Sequence, residues 1–406
     1  MSFKLLIISS LYSEYLKSFY RKYPFINLHS YNEQYKHLLE DTSELIGSYT
    51  KMFNKLGVNA VSIIANATFL QEKWKLENGI KSHDDNNLVY EQVKFFKPDV
   101  LWLDNANYIE KKWIDLVRDN ISSVKLIIAS HSAPFNTRLL ENFRNLDFVI
   151  TCTPGLKHEF EKYGLKVFLV YHGFDTMVLE KVIRVNKLTE NNFVFSGSLL
   201  MGGGFHAKRI ELIEKILKEK IDLKICGNLE KKYKIMAKKS FYYMFQLLNK
   251  FNMEKYIQKI PLLYRHSEYG STPVRNYSKD LIEATESPVF GTDMYNFLKN
   301  SRIILNIHGE VAGNYAGNMR LFEATGVGSC LLTDNKKNMD DLFEKDTEVV
   351  VYDNFEDCIE KVKWLMDNED KRKEIAHLGQ MRTLKSHTVE KRCKLIIDII
   401  CIELKN

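Results

Sequence analysis

No apolar run in these 406 residues approaches the roughly 18 to 20 needed for a helix to cross a bilayer. No Cys-x-x-Cys pair occurs either. The six cysteines (Cys152, Cys226, Cys330, Cys358, Cys393, Cys401) are scattered, and three of them fall in or beside apolar runs, where a reduced thiol behaves as a small hydrophobe. That pattern argues against a disulfide framework and against a zinc site. No Asp-x-Asp triplet stands at the end of an apolar run, so the carboxylate pair that commonly holds a divalent cation against a diphosphate is missing. Only seven prolines interrupt the chain.

What is present is ordinary for a globular protein: 45% hydrophobic and 27% charged residues, with 24 Phe and 21 Tyr. The length favours two domains over one core. The N-terminal stretch MSFKLLIISSLYSEY has an apolar run of strand length without a signal-peptide cleavage pattern, and the expected residence is cytoplasmic. The net charge of +6 is local: residues 229–266 carry nine Lys/Arg against two acids, so the remainder is near neutral.

The first half alternates short apolar runs with helical patterns. Strands are expected at 4–8, 58–65, 99–103, 125–129, 148–151 and 166–170, and the longest helix at 31–56, closed by Gly57. Short buried strands separated by helices predict a parallel sheet covered on both faces. The rhythm breaks at 171–192, which begins YHGFD and runs into VIRVNKLTENN. A second alternation follows, with strands at 193–196, 223–226, 303–307, 330–333 and 348–352 and helices at 207–219, 318–325 and 355–366. From 370 the chain reads as helix alone. The predicted class is α/β: an N-terminal Rossmann-like domain over 1–170, a linker over 171–192, and a second Rossmann-like domain over 193–385. That domain contains the basic insertion 229–266, and a tail helix over 386–406 is expected to cross back to the first domain, the two doubly wound halves facing across a cleft.

Residues 301–334, SRIILNIHGEVAGNYAGNMRLFEATGVGSCLLTD, carry the most information. They read as buried strand, loop, helix and buried strand, the helix opening at Asn318 and bearing Arg320 and Glu323. A helix N-terminus beyond a parallel strand offers free N–H groups to an anion. Arginine suits a diphosphate and glutamate suits ribose hydroxyls; the plainer role of the pair is an ion pair at three-residue spacing. Other strand ends of the second half add Gly197 and Ser198, Gly227, His308 and Thr333. The glycine-rich MGGGFHAKR loop leads to Lys208 and Arg209 as counter-charges, although glycines there also serve a simple strand-to-helix turn. Together these residues predict a nucleotide-sugar pocket.

The run NMRLFEATGVGSCLLTD, with LFEKDTEVVVYDNFEDCIEKVKWLMDNEDKRKEIAHLGQMRTLKSHTVEKR after it, resembles the C-terminal domain of the CgeB-like (spore maturation protein-like) glycosyltransferases of the GT-B fold. The resemblance covers residues 291–392, and HGFD at 172–175 is similar to that family's interdomain segment. It implies a sugar transferase that needs no metal or other cofactor, with the nucleotide-sugar donor held by the C-terminal domain and Glu323 on the donor ribose. Many retaining relatives carry a second Glu eight residues earlier; here Tyr315 stands there, so the sugar-contacting role does not carry over.

In the first half, Asp104 and His131 follow buried strands and are the candidates to act as base on, or to orient, an acceptor hydroxyl. Capping a turn and packing in a loop are their ordinary alternatives. The expected acceptor is a surface polysaccharide or lipid-linked glycan. The lysine- and aromatic-rich insertion suits peripheral contact with an anionic membrane, and equally a helix packed on its domain with lysines in water. It carries no nucleic-acid motif, and no nucleic-acid partner is expected. A sugar-nucleotide epimerase and a non-catalytic sugar-nucleotide-binding protein are the alternatives of other classes.

Overall fold

The computed structural model describes residues 3–41, 45–81, 85–133, 135–183, 191–201, 206–251, 253, 270 and 273–405. The chain forms two compact units.

The first comprises Met1–Val182, Phe290–Tyr295 and Thr383–Asn406. Six strands build its sheet: β1 (Lys4–Ser9), β2 (Asn59–Ile64), β3 (Val100–Leu103), β4 (Leu126–Ser130), β5 (Phe148–Thr151) and β6 (Val167–Leu169). Their order is β2-β1-β3-β4-β5-β6, every pair parallel. β3 and β5 are buried at every residue, which is why the strands read as continuous apolar runs rather than alternations. The direction of winding reverses between β1 and β3, whose C-terminal ends therefore border an open crevice.

The single helix expected over 31–56 is instead a helix at Tyr31–Asp41, then a π-helical turn at Leu45–Tyr49 that passes into a helix at Thr50–Lys55. Residues 42–44, between the first two of these, lie outside the described residues. Gly57 ends this segment at φ +85°, the left-handed conformation that favours glycine. The last helix, Val389–Glu403, packs Val389, Cys393, Ile396 and Ile400 into the same core as Phe3, Leu5 and Trp102. It is anchored where the Phe174 N–H donates to the His387 carbonyl (2.8 Å) and the Val389 N–H to that of Phe174 (3.0 Å). Gly173 has no room for a side chain there, since a Cβ would lie 2.8 Å from the Val389 nitrogen.

The second unit comprises Ile183–Val289 and Asn296–Arg382. Its strands are β7 (Asn191–Ser198), β8 (Leu223–Asn228), β9 (Thr285–Glu286), β10 (Ser301–Asn306), β11 (Cys330–Asp334) and β12 (Val350–Tyr352), all parallel, in the order β12-β11-β10-β7-β8-β9. β9 was not anticipated: two polar edge residues leave no periodicity to read. The chain winds outward from β7 through β9, then returns to the other side of β7 for β10 to β12. The reversal lies between β7 and β10, where doubly wound sheets open a ligand crevice at the strands' C-terminal ends. One core of Phe193, Ile225, Ile303, Leu305 and Leu332 runs beneath it.

Candidate functional site

The crevice between β7 and β10 gathers most of the expected donor residues, all within the second unit. Arg209, in the first turn of the Ala207–Lys218 helix, spans it: one guanidinium nitrogen donates to the Ser198 carbonyl at 2.9 Å and the other to that of Ile307 at 2.6 Å. The guanidinium also lies over the Phe195 ring, 5.6 Å from its centre. Burial pushes the Arg209 pKa down to about 10; Asp334 and Glu310 pull it upward and Arg320 pushes it down, so the group stays charged at neutral pH. Arg209 thus ties the two rims together and supplies fixed positive charge.

Arg320 and Glu323 lie on the Met319–Gly326 helix and form the ion pair that their spacing allows, at 2.9 Å. Arg320 also donates to the Ser196 carbonyl at 3.1 Å, reaching across to β7. Glu323 is buried, so its charge is paid only by close donors. Asn318 stands at the N-cap but does not cap with its side chain. Its amide instead exchanges hydrogen bonds with that of Asn306 (2.6 and 3.2 Å), and Asn306 donates in turn to the Thr333 hydroxyl at 2.9 Å. Asn318 and the fully buried Thr333 therefore fix the helix start against β10 and β11.

His308, just past β10, is buried, and Asp334 accepts from both its backbone N–H (3.0 Å) and its Nδ1 (2.7 Å). Burial by itself would raise the Asp334 pKa. The charge and hydrogen bonds of His308, with Lys336 at 3.1 Å, outweigh that and hold the carboxyl well below its usual range. Asp334 thereby fixes the orientation of the His308 ring through its Nδ1. Among the described residues, His308 Nε2, Ser198 Oγ, Arg209 Nε and Glu310 Oε2 are buried without a hydrogen-bond partner. Four such atoms around one crevice mark a site prepared for a polar ligand.

Gly197 and Gly227 lie side by side on β7 and β8. A Cβ on Gly227 would sit 2.6 Å from the Gly197 carbonyl, so this glycine serves close backbone approach. Lys208 differs from expectation: its side chain is exposed, and its part in the site is its backbone N–H, which donates to Glu310 at 2.8 Å. Lys336 and Glu310 are further members of the site, and nothing in strand periodicity marks them. Residues 202–205 of the glycine loop lie outside the described residues.

In the first unit the two acceptor candidates share the rim beside the β1/β3 reversal. Ser9 Oγ donates to Asp104 at 2.5 Å, and Ser130 Oγ donates to its other oxygen. Burial raises the Asp104 pKa while those hydroxyls pull it back. Asn105 donates to Ser10 Oγ at 2.5 Å. His131 follows Ser130 directly and packs its ring against Phe143 and Phe160, with centroids 5.4 and 6.2 Å away. The HGFD segment is internal to this unit. His172 is neutral at physiological pH, its pKa lowered to about 4 by burial and Arg392, and the Asp175 carboxylate accepts from Ser48 at 2.6 Å and from the Met177 N–H at 3.0 Å.

Residues 209–398, which include most of this crevice, match the model of a family described as glycosyl transferase-like. The chain is similar in structure to Anabaena HepE, solved in complex with UDP-glucose, at 10% identity and a TM-score of 0.58, covering 98% of this chain and 99% of that one. An α-glucosyltransferase in complex with UDP-glucose and DNA containing an abasic site gives 12% identity and a TM-score of 0.57, covering 99% and 100%. A glycosyltransferase from Rickettsia africae gives 11% and 0.53, covering 100% and 99%. No curated protein matches the sequence. The two parallel sheets and these full-length likenesses give the chain the GT-B fold.

Proposed function

We propose that the chain is a glycosyltransferase whose second unit binds a nucleoside diphosphate sugar and whose first unit presents a hydroxyl acceptor. The observation that carries this reading is the convergence, at the β7/β10 reversal, of Arg320, Arg209 and a helix start without a side-chain cap, with buried Glu323 one turn further on. Arg320 and the helix N–H groups neutralise the diphosphate as it departs, the task a metal ion performs elsewhere, and the proposed chemistry is metal-independent. Glu323 accepts from the ribose hydroxyls. The donor is a hexose on uridine diphosphate, in keeping with the ligand of HepE. Asp104 is the candidate base, since burial moves its pKa toward neutrality, and His131 beside it orients the acceptor. The subfamily proposed is CgeB-like, and the acceptor a surface polysaccharide or lipid-linked glycan.

A thermal-shift panel of nucleotides and nucleotide sugars tests the reading, because a ligand that binds only the folded state raises Tm. Uridine diphosphate and its hexose conjugates are expected to raise it. No shift with any nucleoside diphosphate would remove the donor site from the account.

A lipid-linked acceptor calls for a protein at the membrane surface, and the Lys232–Lys250 helix favours that reading. Ile235 and Phe245 face inward and are buried, whereas Tyr233, Met236, Tyr243 and Leu247, with Phe251 just beyond, form an exposed apolar stripe flanked by Lys232 and Lys250. Cations beside an apolar stripe complement anionic lipid. The rest of the insertion, 252 and 254–266, lies outside the described residues, and no described helix is long and apolar enough to cross a membrane. The protein is expected to sediment with phosphatidylglycerol vesicles, and Met236→Glu with Leu247→Glu to abolish this without loss of nucleotide binding. Equal sedimentation with neutral vesicles would contradict it.

A further inference from the structure

The Ala207–Lys218 helix begins at the crevice, yet its N-cap residue His206 makes no side-chain cap bond. The cap comes from 102 residues further along the chain: Glu310 Oε1 accepts the Lys208 N–H at 2.8 Å. A carboxylate thus sits on the positive end of a helix and beside the Arg209 charge, which it stabilises. Its hold is incomplete. Glu310 is only partly buried, but its Oε2 is closed off from solvent, and among the described residues that oxygen has no partner. Nearby Ser198 Oγ and Arg209 Nε, also buried, likewise lack one. The carboxylate therefore occupies an anion site larger than it can satisfy. It is carried on a single turn, Glu310–Ala312, between Gly309 and Gly313, and Gly313 adopts φ +56° with open space around it. Ala312 is the buried residue of this turn and Lys336 donates to the Gly313 carbonyl at 2.9 Å, so the carboxylate leaves by rotation of the Glu310 side chain.

We propose that Glu310 is an internal competitor for the donor's anion site, bound to the Lys208 N–H when the site is free of donor and displaced by the diphosphate. Two anions cannot share one helix start, so entry of the donor expels the carboxylate and its return helps to expel the nucleoside diphosphate product. This assignment makes Glu310 a positioning and release element rather than a group that contacts the sugar, and it rests on the donor reading above.

The test is calorimetry of uridine diphosphate with the wild type, Glu310→Gln and Glu310→Ala. The neutral Gln keeps the shape and an acceptor oxygen but loses the charge, and is expected to bind about tenfold more tightly than the wild type. Glu310→Ala is expected to move the same way and serves should the first variant fold poorly. Uridine without phosphates should bind all three equally, since it does not compete for the anion site. Unchanged or weaker uridine diphosphate binding by the folded variants overturns the competitor role while leaving the donor site standing. A wild type that binds no nucleoside diphosphate overturns the donor reading itself.

Discussion

Replacing Asp334 by Ala is expected to destabilise the second unit by about 3 to 5 kcal/mol, as removal of one partner from a buried charge network does. Asp334 accepts from the His308 backbone N–H and its Nδ1 and pairs with Lys336, and the substitution takes that shared partner from all three. Asp334→Asn keeps an oxygen for one donor and should cost less. The wild type carries a matching pH signature. Because the folded pKa of Asp334 is held below the ordinary aspartate value, its stabilisation is complete above about pH 4 and is lost as pH falls through the lower folded value. Denaturant unfolding at pH 7 and pH 3 should therefore show a smaller loss for Asp334→Asn than for the wild type. An identical loss would place the acid sensitivity in other carboxylates.

Glu323→Ala is expected to weaken uridine diphosphate binding by about 1 to 3 kcal/mol, about five- to 150-fold, the value of a charge-assisted hydrogen bond to the ribose. The ion pair with Arg320 makes a purely structural role the competing account. Pyrophosphate separates the two, since it has no ribose. With Glu323 removed, Arg320 loses a competing anion, so pyrophosphate should bind as well as before or better, while the nucleotide binds worse. Equal losses for both ligands in a folded variant would reduce Glu323 to a partner that positions Arg320.

The sheet strands were legible because parallel strands buried on both faces are apolar throughout: the expected 148–151 is the observed β5, and 330–333 lies one residue inside β11. The helix start at Asn318 was legible for a related reason, a Gly-Asn pair between two such runs. What sequence hid were the contacts that only three-dimensional closure makes. Arg209 reads as a counter-charge to the diphosphate, yet it also bridges the Ser198 and Ile307 carbonyls. Asp334 reads as a strand-end acid, yet it fixes a histidine 26 residues away. Asn318 reads as a helix cap, yet its side chain pairs with Asn306.

The central claim is that the β7/β10 crevice of the second unit holds the donor's nucleoside diphosphate, and hydrogen exchange with uridine diphosphate tests it most directly. Ligand should slow exchange in peptides that contain Ser196–Ser198, His308–Glu310 and the start of the Met319–Gly326 helix, and leave the β1/β3 rim of the first unit unchanged. Protection confined to the first unit, or none at saturating nucleotide, would contradict the claim.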